Sequence, residues 1–579
     1  GRTMSQNDST SWPPALSRAM HQTLLRRLPP RVSSPHLEDL VNALMDALAR
    51  GELELKLTPA SSPDELKAKG WPEAHHQALI ASGWLEGDAA PMILEGNQLS
   101  WSRWYGDMEA VISELVNRSI VHQENAKVTT STTLQVLSDG LNREQQAAVE
   151  AIDTYGVILL SGGPGTGKTS TIVQMLARAL SQQPALRIGL AAPTGKAARR
   201  LQETVRNGLQ AIPTPQRQEL ATLPCSTLHR WLQASPGGFG RHQQHPLMLD
   251  LLVIDEMSMV ELALMQALLN ALPTNSKLVL VGDPDQLPPV GSGAVWHRLQ
   301  QGDVRQQFNH GAIHLHQLYR NRGELANLSG VLRDQGPFAF WQQLSLLPKS
   351  ANIEQHYYSL NGMPKLLDRH LQEHSRTLKH LAEGLTAELV DHAYGSTMTA
   401  ANLSVAAEPL FDCLDRLMVL CPKRRGLWGV EDVHRALLGQ YFEAGVAHWP
   451  LGTPVMCGEN QPELGLANGD VGLVVGEGDN RRLLFRVIPD QGESTISLIH
   501  PARLGLVEPA LALTIHKSQG SESEHVILLW PDVTAVTDSN VDGRNTVSNY
   551  ERRLIYTAIT RARQRVDLIT LKPFTRSDG

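Results

Sequence analysis

Val157-Ile158-Leu159-Leu160-Ser161-Gly162-Gly163-Pro164-Gly165-Thr166-Gly167-Lys168-Thr169-Ser170 is the stretch that decides the fold. The apolar run Val157 to Leu160 reads as a buried strand, and it ends in a glycine-rich turn. Gly162-x-x-x-x-Gly167-Lys168-Thr169 fits the P-loop pattern in full. Glycine there lets backbone N–H groups curl round phosphate oxygens. The helix that follows turns the positive end of its dipole toward the same anion. Gly162, Gly163, Pro164, Gly165, Thr166, Gly167, Lys168, Thr169 and Ser170 are therefore the expected ATP cradle. In that pattern Lys168 neutralises the β/γ-phosphates and Thr169 holds Mg²⁺.

Outward from this turn, apolar runs alternate with helical segments. Ile188–Ala192, Leu251–Ile254 and Leu278–Val281 read as further strands. Such alternation predicts an α/β fold with a parallel sheet covered on both faces. Leu141–Val149 opens a helix with Asn142 as its N-cap. Asp255-Glu256 ends an apolar strand with two carboxylates. Asp255 is expected to hold Mg²⁺ and Glu256 to polarise the attacking water. Gln286, in Gly282-Asp283-Pro284-Asp285-Gln286, is a neutral side chain suited to sensing a γ-phosphate. Arg320 and Arg561 are candidate arginine fingers, because a transferring phosphoryl group needs a cation that the P-loop does not supply.

Three more segments pair small hydroxyl residues with a base or histidine at a strand end or helix start. They contain Pro193 and Thr194, Thr227 and His229, and His516 and Ser518. Hydroxyls and backbone N–H groups in such places suit phosphate contacts that position a nucleic acid without reading its sequence. Trp231 and Trp428 could stack bases, although packing is the commoner use of tryptophan.

The bulk properties bound these readings. At 579 residues the chain is expected to form roughly three or four domains. A net charge of −7 argues against a general basic coat, while leaving room for a local basic channel. No apolar run reaches the length of about 18 residues that a membrane span needs. Gly1-Arg2-Thr3 reads as a vector scar before Met4, with no apolar signal core after it, so a cytoplasmic location is expected. The four cysteines form no C-x-x-C pair, and His75-His76 reads as a polar loop rather than a metal site. Composition shifts divide the chain at 1–135 (helical), 136–310 and 311–449 (α/β, the latter with a helical insertion), 450–503 (a small β-barrel insertion) and 504–579 (return to α/β). No catalytic constellation stands out before residue 135.

This ordered set of motifs resembles the superfamily 1 DNA helicases over roughly residues 136–571. The resemblance carries Gln145 over as an adenine-recognising glutamine. SGGPGTGKT, APTGKAA, STLHR, HKSQGSE and YTAITRAR are similar to the RecD subfamily in particular. It implies two RecA-like P-loop NTPase domains, ATP and Mg²⁺ as cofactors, and 5′→3′ movement on single-stranded DNA. Pro91-Met92-Ile93-Leu94, before a short helical segment, resembles subunits of RecBCD-type helicase–nucleases. That implies a heterotrimer with RecB and RecC, docking on RecC through residues 1–135, with the nuclease on RecB. A stand-alone 5′→3′ helicase of the same subfamily is the alternative, although no helix–hairpin–helix signature appears before residue 135. Two departures stand out: Met257 follows the acid pair where alanine is commoner, and the segment from Trp296 to Leu318, leading to Arg320, is short for the family.

Overall fold

Two all-parallel sheets organise the molecule. In the first, the strand order is Ala312–Leu315, Val157–Gly162, Lys277–Gly282, Leu251–Ile254, Ile188–Ala192, Cys225–Thr227. The P-loop strand thus lies beside the strand that ends at Gly282, and one strand from the strand that ends in the acid pair. Side chains alternate across the sheet as the pleat requires. Ile158 and Leu160 face the helices Arg143–Ala151 and Lys168–Gln182, while Val157 and Leu159 face Ser102–Ala126 and Leu262–Ala271. The computed structural model describes residues 14–52, 54–61, 64–87, 90–126, 140–289, 294–317, 323–349, 351–359, 362–392, 398–487, 495–531 and 546–571.

The second sheet has the order Ile353–Tyr358, Ala562–Leu571, Ser523–Trp530, Leu417–Cys421, Leu513–Thr514. An antiparallel sheet is inserted before Leu513, in the order Thr495–Ile499, Arg482–Val487, Val471–Val475, Pro454–Cys457, Val507–Pro509. The small β-barrel expected here takes the form of a sheet whose strand order runs in one line among the described residues. Helices Lys365–His392 and Ala400–Leu414 cover it, with Leu378, Leu385 and Phe411 packed in one cluster with Leu473 and Phe485. A helix pair buries the apolar face that closure would otherwise bury.

The N-terminal region is not helical throughout. Helices Pro14–Arg27, Pro35–Ala49 and Glu73–Ser82 pack with an antiparallel sheet of Glu54–Lys56, Gln98–Trp101 and Met92–Glu95. Met92–Leu94 therefore begins a hairpin. His75, read as a loop residue, is fully buried on its helix with Nε2 3.1 Å from Asp39 Oδ2.

The helix Ser102–Ala126 leaves this group and joins the first parallel sheet. Met108, Val111, Ile112 and Leu115 share a core cluster with Met265, Leu268 and Leu269. Arg118, 3% exposed, donates to the carbonyls of Leu269 (2.9 Å), Leu272 (2.8 Å) and Pro273 (2.9 Å). It thereby satisfies backbone acceptors where the helix Leu262–Ala271 ends. Glu114 balances its charge at 3.0 Å.

Candidate functional site

The P-loop backbone is shaped by local contacts. Gly165 and Gly167 sit at φ +75° and +79°, the left-handed region that glycine tolerates. A Cβ on Gly162 would stand 2.7 Å from Thr166 Oγ1, and one on Gly163 would stand 2.9 Å from Tyr556 Oη. Thr166 Oγ1 donates to the Gly163 carbonyl at 2.7 Å and closes the loop. Lys168 and Thr169 then open the helix. Asn142 and Gln145 form a reciprocal capping box, and Gln145 Nε2 reaches the Gly167 carbonyl at 3.5 Å.

At the end of the neighbouring strand, Asp255 Oδ1 accepts the Glu256 N–H at 2.8 Å. Glu256 itself holds φ +55°, a strained conformation for a non-glycine residue. Burial and the Glu256 charge push the Asp255 carboxyl upward, against the pull of Lys168 and Arg200. Arg200 spans the two halves of the molecule, 3.3 Å from Glu256 and 3.4 Å from Glu522. Gln286 is buried, and its Oε1 has no hydrogen-bond partner, whereas its backbone carbonyl accepts from His297 Nε2 (2.9 Å) and Arg553 Nη1 (3.2 Å).

Arg561 is 2% exposed. Its Nε donates to the Thr557 carbonyl at 3.0 Å and its Nη1 to the Ser521 carbonyl at 3.2 Å. Burial lowers its pKa, with the Glu256 charge opposing. One cavity of about 880 Å³ is lined by Gly163–Ser170, Gln145, Asp255, Glu256 and Gln286 from the first half, and by Ser521 and Arg561 from the second. Lys196 and Arg199 line it too; burial brings the Lys196 pKa to about 8, with Asp470 opposing.

Other functional-type contacts escaped the sequence reading. Tyr556 Oη donates to Asp283 Oδ2 at 2.8 Å beside Gly163, and burial raises the pKa of both groups. Arg552 reaches Asp285 (3.3 Å), Arg553 reaches the Pro284 carbonyl (2.5 Å), and Thr557 Oγ1 accepts the Leu287 N–H (3.0 Å). All four come from the helix Thr546–Ile559. The available signal was a polar stripe: Arg552 and Tyr556, and Arg553, Thr557 and Arg561, recur every fourth residue between apolar neighbours.

The nucleic-acid candidates lie outside this cavity. Thr194 caps the helix Gly195–Asn207 through the Ala197 N–H, and a Cβ on Gly520 would stand 3.3 Å from its Oγ1. Pro193 precedes it, half-buried. Thr227 caps Leu228–Trp231, and His229 is exposed. His516 Nε2 lies 3.3 Å from Tyr550 Oη. Ser518 does not reach a surface: it is fully buried and donates to the Ile515 carbonyl at 2.6 Å. Trp428 is buried as packing, and Trp231 Nε1 donates to the Leu190 carbonyl at 2.9 Å. Arg320 lies outside the described residues.

Two family models match separate parts of the chain. An AAA domain matches residues 145–292, which makes the first half a nucleotide-binding P-loop domain, and a UvrD-like helicase C-terminal domain matches residues 509–569. The RecBCD enzyme subunit RecD of Mycolicibacterium smegmatis is 35% identical over 438 residues, covering 74% of this chain and 70% of that protein. The ATP-dependent RecD2 DNA helicase of Deinococcus radiodurans is 29% identical over 433 residues, covering 74% of this chain and 48% of that protein. Among solved structures, Bacteroides Pif1 bound to single-stranded DNA matches at 17% identity and a TM-score of 0.38, over 75% of this chain and 93% of the other.

Proposed function

The chain belongs to the RecD family of superfamily 1 helicases, and from that premise we infer that it is an ATP-dependent 5′→3′ DNA helicase acting as the RecD subunit of a RecBCD-type helicase–nuclease in double-strand break repair. RecB and RecC are its partners, single-stranded DNA (the 5′-ended strand) its track, and the cytoplasm its location. No helix among the described residues is long and apolar enough to cross a membrane. The observation that carries the reading is the single cavity shared by the P-loop and Arg561.

The residues present fit ATP and Mg²⁺. Side chains at Gly162 or Gly163 would collide with Thr166 or Tyr556, so the loop keeps bare backbone where phosphates need it. The unpartnered Gln286 Oε1 lines the same space. Thr169 and Asp255 offer hard oxygen ligands of the kind Mg²⁺ takes, and the ion when bound spreads phosphate charge. Gln145 reads the adenine end. Lys168 holds the β/γ-phosphates, Glu256 orients the attacking water, and Gln286 faces the terminal phosphate. Arg561, with Arg320 as the second candidate, supplies positive charge to the transferring group. Water cleaves the β–γ phosphoanhydride bond, and departure of the inorganic phosphate removes the anion that Arg561 faces. The hinge between the sheets is then free to open, and alternate grips on DNA by Thr194, Thr227, His229 and His516 turn that motion into translocation.

Residues 1–135 are the RecC-docking part in this reading. The stand-alone alternative is less favoured, because over matches of similar length the chain is 35% identical to a RecD subunit and 29% identical to RecD2. Unwinding of 5′-tailed and 3′-tailed duplexes tests the proposal, with the chain alone and mixed with RecB and RecC. Unwinding of the 5′-tailed substrate is expected, greatest in the trimer. Lys168→Ala should abolish ATP hydrolysis, by more than about 10³-fold, in a chain that still folds and assembles. Hydrolysis retained in Lys168→Ala, or unwinding of the 3′-tailed substrate by the chain alone, would sink it.

A further inference from the structure

The loop that carries Gln286 is held from two sides. On one side stands the second half of the chain. Arg553 donates to the carbonyls of Pro284 and Gln286, Thr557 accepts the Leu287 N–H, and Gln519 Nε2 donates to the Leu287 carbonyl at 3.0 Å. On the other side stands the N-terminal domain. Its helix Pro35–Ala49 ends in the turn Arg50-Gly51-Glu52, which is pinned by Gly51 N–H to Leu48 O (2.8 Å) and Glu52 N–H to Ala47 O (2.9 Å). These bonds close the last carbonyls of the helix and leave the turn little freedom. Gly51, at φ +78°, lies directly on the loop: a Cβ there would stand 2.5 Å from Pro288 Cβ and Cγ and 2.9 Å from the Pro289 carbonyl. Glu52 lies 3.7 Å from Arg50 Nε, and burial lowers the Arg553 pKa with the Glu52 charge among those opposing it.

The Gln286 Oε1 has no hydrogen-bond partner, so the position of the loop backbone governs where that amide oxygen sits. That backbone is clamped between Arg553 and His297, and two and three residues downstream, at Pro288 and Pro289, the chain abuts the Gly51 turn. We propose that the N-terminal domain is a positioning element of the ATPase: Gly51 and Glu52 set the loop that carries Gln286. The inference rests on the reading of Gln286 as the residue that faces the terminal phosphate. A group misplaced by about 1 Å at such a site lowers the rate by up to about 10²-fold.

Steady-state ATP hydrolysis by the full chain at saturating single-stranded DNA tests this. Gly51→Ala should lower kcat about ten-fold while the KM for ATP stays within about two-fold. Gly96→Ala is the control: it lies in the same domain, at φ +60°, with nothing within 4 Å of its added Cβ. It shares the backbone strain without the contact and should match wild type. Glu52→Gln should lower kcat about three-fold, and Glu52→Asp should restore it. Equal kcat for Gly51→Ala and Gly96→Ala overturns the inference. If Gly51→Ala does not fold, Glu52→Gln decides alone, and an unchanged kcat overturns it. Gln286→Ala, run alongside, separates the two levels. Full turnover in that variant means the reading of Gln286 has failed. Collapse there with normal Gly51→Ala means the inference alone has failed.

Discussion

The two parallel sheets share an architecture and divide the chemistry. The first is continuous in the chain, and its strand ends carry the P-loop, the acid pair and the Gln286 loop. The second is assembled from strands between residues 353 and 571, interrupted by a helix pair and an antiparallel sheet, and among the described residues carries no glycine cradle. It contributes the helix Thr546–Ile559, whose polar side chains grip the first half and lead to Arg561, together with Gln519 and Glu522, which reach the Leu287 carbonyl and Arg200. The same layered fold thus serves once as the binding half and once as the half that completes the site. Chemistry follows the loops and helix ends rather than the sheet.

Arg561→Ala is the strongest way to break this division. It should lower kcat by about 10³-fold while nucleotide binding persists, because the finger acts on charge that develops during transfer. Steady-state turnover paired with fluorescent-nucleotide titration reads both, and near-normal turnover would leave the second half without a chemical role. Tyr556→Phe is gentler. It keeps the ring but removes the donor from Asp283, a buried carboxyl, at a cost of about 1–3 kcal/mol. A roughly ten-fold fall in kcat at unchanged fold is expected, and a kcat equal to wild type would reduce that bond to packing. The smallest effect belongs to the second half alone. His434 Nε2 accepts the N–H groups of Leu511 and Ala512, where the inserted sheet returns to the parallel one, and burial lowers its pKa from 6.5 to about 3. Between those values the unfolded chain binds a proton that the folded chain refuses. Stability from this site is therefore full above 6.5 and declines as pH falls below it, by at most about 1.4 kcal/mol per pH unit. Urea unfolding of wild type and His434→Gln at pH 7 and about 5.5 should show a shallower pH slope in the variant. Equal slopes would show that His434 is not the group responsible.

The sequence exposed what is local. Phosphate binding by a strand, a glycine turn and a helix uses contiguous residues, so the P-loop could be read directly. Ile188–Ala192 and Leu251–Ile254 were equally plain, because strands buried on both faces are uninterrupted apolar runs. Pairings across the fold were hidden. Tyr556 and Asp283 are 273 residues apart, and neither position has a period that points to the other. Short strands such as Cys225–Thr227 and Met92–Glu95 lack the length to stand out from loops. The polar stretch between the apolar segments Met363–Leu371 and Leu378–Val390 looks, in the sequence, like a break between two helices. Without Gly or Pro it simply continues as the solvent side of one helix, Lys365–His392. Ser518 looked like a surface hydroxyl because its neighbours are polar, but the turn His516–Ser518 directs it inward.

The helix Ser102–Ala126 redraws the border of the motor. Its apolar face and the Arg118 guanidinium are structural parts of the first sheet, although they precede the P-loop and follow the N-terminal fold. A polypeptide started at residue 136 would bare that sheet face and strand the carbonyls that Arg118 serves. The packing unit of the first sheet therefore begins near Ser102 rather than at residue 136.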